Sequence, residues 1–385
     1  MAVLTAAQKV QILSDLVAIH SVNDNEVAVA TYLQQLLGEY GIAAKLLPVN
    51  GNAQRPNLVA EIGSGRPVLG VSGHMDVVSP GEVGQWQSDP FTLTNRDGRL
   101  YGRGAADMKS GLAALTIALI ELHAAGQPTH GTIRLMATVG EEVGEYGSQA
   151  FYEAGTMDDV DALLIGEPTG YNLFSSHKGS MDVRLTAKGL AAHSSMPELG
   201  ANAIDPLLVI LTQANQAFRE TPKENALLGK LAFNTTIFSG GNQVNSIPEA
   251  ATAEMNVRTI PEFDNAAVRE TLQRLVDQQN AQGAQVTMDI YMDQWPVEEP
   301  QDNPLSNLAA KLGEPFAGEP IPKLPLPAVT DASNLLKDKG NQFPFIVFGP
   351  GSNTAHQVDE YVDRQMFLDF TELYQQLLPG YLKLK

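Results

Sequence analysis

The strongest constraint on the fold is a change of pattern partway along the chain. Up to about residue 178, near-continuous apolar segments such as Val68–Gly73 and Gly131–Val139 alternate with helical ones. This order predicts an α/β domain with a mostly parallel sheet that is covered on both faces. Met108–Ala125 is apolar around most of its circumference, which predicts a buried helix on that sheet. The apolar segment Pro344–Phe348 is predicted to rejoin the sheet.

The stretch 179–293 follows a different pattern. Its predicted elements run β-α-β-β-α-β, with alternating strands such as Met181–Ala187 and Gln285–Asp293. That order predicts a ferredoxin-like α+β domain inserted into the first one. The predicted division is therefore a first domain of residues 1–178 and 294–385, and a second domain of residues 179–293. A length of 385 residues fits it, because about 150 residues per domain is typical.

Composition excludes several classes of protein. The chain has no cysteine, so zinc fingers, iron–sulfur clusters, disulfide scaffolds and cysteine nucleophiles are excluded, and any metal must bind His, Asp or Glu. A net charge of −19 without a Lys/Arg-rich stripe argues against a nucleic-acid partner. No uncharged apolar run reaches about 18 residues, and Met1–Asp15 is unlike a signal peptide. We therefore expect no membrane partner and a cytoplasmic location.

Metal-capable side chains recur at or near the ends of predicted strands, where open α/β sheets bind their ligands. The residues are His74, Asp76, Asp107, Glu141, Glu142, Glu167 and His356. Each alone has an ordinary structural explanation, such as a helix N-cap for Asp107 or a surface loop for His356. Together they offer two His and three carboxylate ligands with an acid left over, which suits two divalent cations about 3.5–4 Å apart that share a carboxylate. Such ligands suit zinc and tolerate cobalt or manganese.

Local spacing suggests further roles. His74 and Asp76 are two residues apart, so on an extended backbone they point to one side, and the carboxylate could orient the imidazole. Glu141 and Glu142 are adjacent and must point in different directions, so that one can bind a cation while the other faces a water molecule. The glycine-rich turn that contains Gly351 allows a close approach of the backbone to a ligand.

At this level of detail the chain resembles a known family of metallopeptidases. The motifs that carry the resemblance are SGHMDVV, YGRGAADMKSG, ATVGEEVG, IGEPTG, HKGS, GLAAHSSMPELGANAI and FGPGSNTAHQVDEY. The chain is identified as a member of the M20 family, which contains succinyl-diaminopimelate desuccinylase, acetylornithine deacetylase, aminoacylase and carboxypeptidase G. It resembles most the desuccinylase group of Gram-positive bacteria. The resemblance implies a zinc-peptidase-like catalytic domain and makes the inserted domain a dimerisation or lid domain of a homodimer.

The resemblance also implies two cation sites with a shared carboxylate. The implied ligands are His74, Asp107 and Glu167 for one Zn²⁺, and Asp107, Glu142 and His356 for the other, and Co²⁺ or Mn²⁺ could replace zinc. Glu141 would be the general base, and Asp76 would orient His74 from behind. The peptide bond after Asp107 is expected to be cis.

Other implied residues lie mainly in the second domain. His193 would reach the active site of the partner subunit and stabilise the oxyanion there, although its pattern alone suggests a surface turn. The residues assigned to substrate binding are Arg258, Asn245, Lys178 and Gly351. Arg258 lies in mid-strand, where an exposed alternating position is the ordinary explanation.

The activity implied is hydrolysis of an N-acyl amino acid. The most specific candidate is conversion of N-succinyl-LL-2,6-diaminopimelate to succinate and LL-diaminopimelate, a step of lysine and diaminopimelate biosynthesis. Acetylornithine deacetylase, aminoacylase and dipeptidase activities are alternatives, because the motifs define the metal chemistry and not the acyl pocket. A metal-dependent binding protein without catalysis is a further alternative, and Glu141 argues against it, since a binding protein needs only ligands.

Overall fold

The structure, a computed structural model, describes residues 2–23, 25–300, 302–340 and 342–384. It divides into two compact units. Unit 1 contains Met1–Ser175, Glu299–Leu324 and Thr330–Lys385, and unit 2 contains Ser176–Glu298 and Pro325–Val329. The boundaries predicted from the sequence, 178/179 and 293/294, lie a few residues away. The short segment 325–329, placed with the first domain by the sequence analysis, is grouped with unit 2, because its proline-rich sequence has no periodicity that indicates its neighbours.

Helices and strands are numbered here along the described residues. The helices are α1 (Ala6–Ala18), α2 (Val27–Glu39), α3 (Lys109–Ala124), α4 (Tyr146–Glu153), α5 (Ile204–Arg219), α6 (Asn265–Ala281), α7 (Pro304–Ala317), α8 (Ala332–Leu335) and α9 (Arg364–Leu382). The strands are β1 (Ala44–Val49), β2 (Asn52–Ser64), β3 (Val68–His74), β4 (Thr94–Arg96), β5 (Arg99–Tyr101), β6 (Gly131–Thr138), β7 (Ala162–Pro168), β8 (Leu173–His177), β9 (Ser180–Lys188), β10 (Glu224–Asn225), β11 (Gly229–Lys230), β12 (Ala232–Gly240), β13 (Ala250–Arg258), β14 (Gln285–Gln294), β15 (Lys323–Leu326), β16 (Phe345–Gly349) and β17 (Tyr361–Asp363). Short 3₁₀ helices lie at Val83–Gln85, Glu141–Val143 and Pro197–Leu199.

The largest sheet of the described chain has the strand order β1-β2-β6-β3-β7-β16-β8-β15. Its middle strands β6, β3, β7 and β16 run parallel. The pairs β1–β2, β2–β6 and β16–β8 are antiparallel. The predicted α/β class with a mostly parallel central sheet is therefore confirmed. The antiparallel flanking strands were not distinguished, because an apolar run does not reveal the direction of its strand.

Helix α3 is buried on all sides, as its sequence predicts. Every residue from Lys109 to Leu122 is buried. The helix contacts β3, β6 and β7 of the sheet and also packs on α1 and α9. Gly111 permits the close approach to the sheet, because a Cβ atom there would lie 1.8 Å from the carbonyl oxygen of Gly166 on β7. The start of α3 is thereby held against the carboxyl end of β7.

Unit 2 contains an antiparallel sheet with the strand order β12-β13-β9-β14. Alternate residues of β9, such as Val183 and Leu185, are buried in a core shared with α5 and α6. Apart from β10 and β11, which form a separate two-stranded sheet, the order β9-α5-β12-β13-α6-β14 is the β-α-β-β-α-β arrangement predicted from the sequence. Among the described helices of the chain, we find none with the length and apolar character needed to cross a bilayer.

Candidate metal centre

The candidate site begins at the carboxyl ends of four neighbouring parallel strands. His74 is the last residue of β3, and Glu167 is the penultimate residue of β7. Glu141 and Glu142 lie in the 3₁₀ turn that follows β6, and His356 lies in the loop after β16. Because these strands are adjacent and parallel, all five side chains start from one edge of the sheet, where such sheets bind ligands.

Asp107, which precedes α3, lies between two imidazoles. Its Oδ1 is 3.0 Å from His74 Nε2, and its Oδ2 is 3.3 Å from His356 Nε2. Each imidazole has a second carboxylate: Glu167 Oε1 is 3.7 Å from His74 Nε2, and Glu142 Oε2 is 3.0 Å from His356 Nε2. The structure therefore brings together the five side chains that the sequence analysis singled out as ligands, with Asp107 in the middle.

The orientation of His74 is set by the main chain. The Nδ1–H of His74 donates to the carbonyl oxygen of Asp76 at 2.9 Å, whereas the nearer carboxylate oxygen of Asp76 is 3.7 Å away. The spacing of the two residues in sequence predicts the carboxylate in this place. The difference arises because β3 ends at His74, so the two residues no longer share an extended backbone. The backbone N–H of His74 donates to Met108 Sδ at 3.1 Å, and the Asp107–Met108 peptide bond is cis, as the resemblance implies.

The fully buried carboxylate of Asp76 holds the turn after β6 instead. Its Oδ1 accepts a hydrogen bond from the backbone N–H of Glu141 at 3.2 Å. Its Oδ2 accepts from the backbone N–H of Glu142 at 3.1 Å. One side chain thus fixes the main chain of two adjacent glutamates whose side chains must point in different directions.

Burial and like charges control the ionisation of the cluster. Burial raises the pKa of Glu141 and of Glu167 well above the usual value. Hydrogen bonds to carboxylates, first that of Asp107, raise the pKa of His356 to about 10. Burial acts to raise the pKa of Asp107, but its hydrogen bonds with His356 and His74 outweigh burial and hold that pKa below its usual range. The charges of the imidazoles and the carboxylates therefore partly cancel, and the carboxylates outnumber the imidazoles.

The donor set fits divalent cations. Three carboxylates and two imidazoles converge with no thiol, and an excess of buried carboxylates is unfavourable without a cation. Ligand atoms of His74, Asp107 and Glu142 all lie within 4.8 Å of one another. The hydrogen bond from His74 Nδ1 leaves Nε2 to face the cluster, as a metal-bound imidazole requires. Oxygen and imidazole ligands suit Zn²⁺, Co²⁺ or Mn²⁺.

In unit 2, His193 and Asn245 lie on neighbouring segments. The Ser194 backbone N–H donates to the Asn245 carbonyl oxygen at 3.0 Å. His193 is exposed, and its Nδ1 accepts from the Ser195 backbone N–H at 3.2 Å. A neutral imidazole in this arrangement carries its proton on Nε2, which is then free to donate.

The predicted substrate-binding residues are distributed over both units. In unit 2, Arg258 is the last residue of β13, and Lys178 donates from Nζ to the Lys230 carbonyl oxygen at 2.5 Å. In unit 1, Gly351 is buried, and a Cβ atom there would lie 2.2 Å from Pro168 Cβ. The close backbone approach expected at Gly351 is therefore made to the end of β7.

Sequence reasoning missed a buried ion pair beside the cluster. Glu360 is fully buried, pairs with Arg103, and accepts from the backbone N–H of Asp107 at 2.8 Å. Arg103 lies four positions before Asp107 in the motif YGRGAADMKSG, and Glu360 lies four positions after His356 in the motif FGPGSNTAHQVDEY. The equal spacing from two candidate ligands could have indicated the pair. It did not, because a charged residue in a glycine-rich or polar loop is usually exposed.

Asp331 was missed as well. It is 2% exposed and accepts from the hydroxyl of Thr138, the last residue of β6, at 2.5 Å. Burial raises the pKa of Asp331. The segment around it has no periodicity or metal-ligand spacing, so nothing in the sequence pointed to this position.

Comparison with known proteins defines the class. The profile of "Peptidase family M20/M25/M40" matches residues 70–379. A protein of Staphylococcus epidermidis named "Probable succinyl-diaminopimelate desuccinylase" is 40% identical and aligns over 100% of both chains. The chain therefore belongs to peptidase family M20. It is accordingly a hydrolase that acts on amide bonds.

Solved structures share its fold over nearly the whole length. An M20 family metallo-carboxypeptidase from Sulfolobus solfataricus superposes with a TM-score of 0.77 at 20% identity, covering 98% of this chain and 99% of that chain. A dinuclear metal-binding M20 peptidase from Bacillus subtilis superposes with a TM-score of 0.70 at 19% identity, covering 98% of both chains. These likenesses confirm the predicted fold class.

Proposed function

We propose that the chain hydrolyses N-succinyl-LL-2,6-diaminopimelate to succinate and LL-diaminopimelate with two divalent cations, in the first place Zn²⁺. The observation that carries the proposal is the position of Asp107 between His74 and His356, each with a further carboxylate of its own. The choice of acyl group is supported by relatives at 38–40% identity that are named for this activity. A place in lysine and diaminopimelate biosynthesis and a cytoplasmic location belong to the same proposal.

Five side chains would hold the cations. The proposed ligands are His74, Asp107 and Glu167 for one, and Asp107, Glu142 and His356 for the other. When bound, two divalent cations lower the pKa of a water molecule and polarise the amide carbonyl. The turn that carries Glu142 is already fixed by the Asp76 carboxylate, so this ligand needs little reorganisation.

Glu141 would act as the general base. Its side chain is half-buried, and desolvation raises its pKa above the usual value, which makes it a stronger proton acceptor than a free carboxylate. It takes a proton from the water whose oxygen bonds to the amide carbon. It then delivers that proton to the amide nitrogen as the carbon–nitrogen bond breaks. The second proton of that water is lost from the new carboxyl group and taken up by the amine, so succinate leaves as the carboxylate and diaminopimelate as the ammonium ion.

His193 would stabilise the negative charge that develops on the carbonyl oxygen. Its Nδ1 accepts from Ser195, so Nε2 carries the proton of the neutral ring and can donate to an oxyanion. In the proposed homodimer this side chain serves the active site of the other subunit. Asn245 and Arg258 would bind a substrate carboxylate, and Lys178 and Gly351 would line the substrate site.

A panel of acyl substrates tests the function. The chain, loaded with Zn²⁺ or with Co²⁺, is assayed on N-succinyl-diaminopimelate, N-acetylornithine, other N-acetyl amino acids and a dipeptide. A site that pairs the succinyl carboxylate should favour the first substrate by roughly 10²-fold in kcat/KM. Faster release of acetate, or of an amino acid from the dipeptide, would replace the proposed substrate by one of these. Metal binding without turnover of any substrate would indicate a binding protein.

A further inference from the structure

A buried ion pair connects the two loops that carry Asp107 and His356. Arg103 lies four residues before Asp107 and is 1% exposed. Glu360 lies four residues after His356 and is 0% exposed. The Arg103 guanidinium donates from Nη1 to Glu360 Oε2. The pair therefore joins two residues that are 257 positions apart in sequence.

Glu360 holds the loop that precedes α3. Its Oε1 accepts from the backbone N–H of Ala106 at 2.7 Å and of Asp107 at 2.8 Å. Its Oε2 accepts from the backbone N–H of Gly104 at 3.1 Å as well as from Arg103. A residue of the His356 loop thus fixes the main chain from which the Asp107 side chain extends.

Arg103 holds the opposite loop. Its Nη2 donates to the carbonyl oxygen of Gln357, the neighbour of His356, at 3.3 Å. It also donates to the carbonyl oxygen of Ser79 at 3.2 Å. The guanidinium carbon of Arg103 lies 5.3 Å from the centroid of the Trp86 ring, within the range of a cation–π contact. Each loop therefore contributes the charged side chain that binds the backbone of the other loop.

Stability alone is a weak explanation for such a pair. Desolvation of two buried charges often offsets their attraction, and apolar replacements of similar volume are frequently neutral or stabilising. The His356 side chain, in contrast, needs external support: it is 53% exposed, and its loop has a left-handed backbone with φ 64° at this residue. Even so, its Nε2 lies 3.3 Å from Asp107 Oδ2. The cross-linked loops explain how an exposed side chain is held at that distance.

We propose that Arg103 and Glu360 are positioning residues that set the separation between Asp107 and His356. The inference rests on the proposed function in one respect, since that function assigns both side chains to one cation. Neither Arg103 nor Glu360 would contact cation or substrate. Their effect would reach the reaction through the geometry and affinity of the metal site, as is usual for residues that orient ligands.

The test compares Glu360→Gln and Arg103→Lys with the unchanged chain and with Glu61→Gln. Glutamine at 360 keeps the volume but loses one acceptor for the loop and the charge opposite Arg103. Lysine at 103 keeps the charge but cannot bind Glu360 and Gln357 together. The control also alters a glutamate paired with an arginine, because Glu61 binds Arg134 on the β2–β6 pair. Thermal melting identifies folded variants, and the readouts are the Co²⁺ absorption spectrum, the metal affinity of the apo-protein, and kcat and KM.

We expect both test variants to show an altered Co²⁺ spectrum, a loss of roughly 10–100-fold in affinity for one cation, and a fall in kcat larger than the change in KM. Glu61→Gln should match the unchanged chain. A Glu360→Gln variant that melts cooperatively and has an unchanged Co²⁺ spectrum and metal affinity overturns the proposal. If Glu360→Gln does not fold, the same result for Arg103→Lys overturns it. A changed spectrum in a chain that hydrolyses no acyl substrate supports the positioning role while contradicting the proposed function.

Discussion

The carboxylate of Asp76 accepts a hydrogen bond from the backbone N–H of Glu141, with 3.2 Å between oxygen and nitrogen. This hydrogen bond ties the end of one parallel strand to the turn after its neighbour. It therefore restrains the main chain of the residue proposed as general base without using that residue's side chain. A base held in this way needs little reorganisation when the proton moves, which favours catalysis.

Glu141→Gln should separate metal binding from catalysis. The amide keeps the shape of the side chain but cannot accept a proton, and Glu141 is not among the proposed ligands. We expect unchanged metal content and a fall in kcat of roughly 10²–10⁴-fold, measured with the best acyl substrate. Glu153→Gln, which alters an exposed glutamate on α4, is the control. Full activity of Glu141→Gln would contradict the assignment of the base.

Asp107→Asn should weaken both cation sites at once. The substitution removes the negative charge between His74 and His356 and leaves a single oxygen in place of two. Because a bound cation stabilises the folded state, added Zn²⁺ should raise the melting temperature of the unchanged chain, and a chelator should reverse the rise. In Asp107→Asn this rise in melting temperature should largely disappear. The control Asp277→Asn, on α6, should show the same rise as the unchanged chain. Two cations bound with unchanged affinity in Asp107→Asn would argue against a shared carboxylate.

Gly111→Ala should disturb the site through the backbone. The added Cβ would lie 1.8 Å from the Gly166 carbonyl oxygen, so α3 and β7 must separate. We expect a loss of about 1–3 kcal/mol in the free energy of unfolding, with weaker metal binding because Glu167 follows Gly166. Gly38→Ala on α2 is the matched control, since nothing lies within 4 Å of its added Cβ. That change should stabilise the chain by up to ~1 kcal/mol. Equal melting temperatures for both variants would contradict the prediction.

Mixed dimers should reveal whether His193 acts across subunits. Glu141→Gln and His193→Ala should each be almost inactive alone. A dimer with one subunit of each kind contains one complete site, so random exchange should restore about a quarter of the activity. A mixture of Glu141→Gln with Asp107→Asn should restore none, because both changes lie in the same unit. If the first mixture recovers no activity although mass measurement shows that subunits have exchanged, His193 acts in the site of its own subunit or in no site.

His177 should make the protein sensitive to mild acid. It is fully buried, its Nδ1–H donates to the Lys178 carbonyl oxygen at 2.9 Å, and burial lowers its pKa to about 4 from the usual 6.5. The folded pKa is depressed, so the unfolded chain takes up the proton first. The contribution of the neutral His177 to the free energy of unfolding is therefore fully present above about pH 6.5 and is lost progressively as the pH falls to about 4.

The measurement compares denaturant unfolding of the chelator-treated chain at pH 7 and pH 5. The unchanged chain should lose about 2 kcal/mol more than His177→Gln over this interval. Glutamine retains a donor for the Lys178 carbonyl oxygen but does not titrate. His130→Gln, which alters an exposed histidine, should behave like the unchanged chain. Equal losses in all three would show that His177 does not control the acid sensitivity.

The fold was largely accessible from the sequence because its elements have distinctive periodicities. The all-round apolar character of α3 predicted its burial, and the alternation in β9 and β14 predicted the inserted unit. Strand direction in β2 and β8 was not accessible, since direction depends on which strand is the neighbour and not on composition. The grouping of residues 325–329 with unit 2 was missed for the same reason, as it depends on contacts and not on local pattern.

For the site, the sequence by itself determined the residue types and their positions at strand ends, and hence the oxygen and imidazole donors of a candidate metal centre. Only the tertiary structure decided which atoms meet. His74 is oriented by the carbonyl oxygen of Asp76, while the Asp76 carboxylate binds the turn at Glu141. Arg103 and Glu360 lie buried between loops that sequence distance separates. Hydrogen bonds of a few ångströms depend on how the backbone turns after each strand, and no periodicity of side chains encodes those turns.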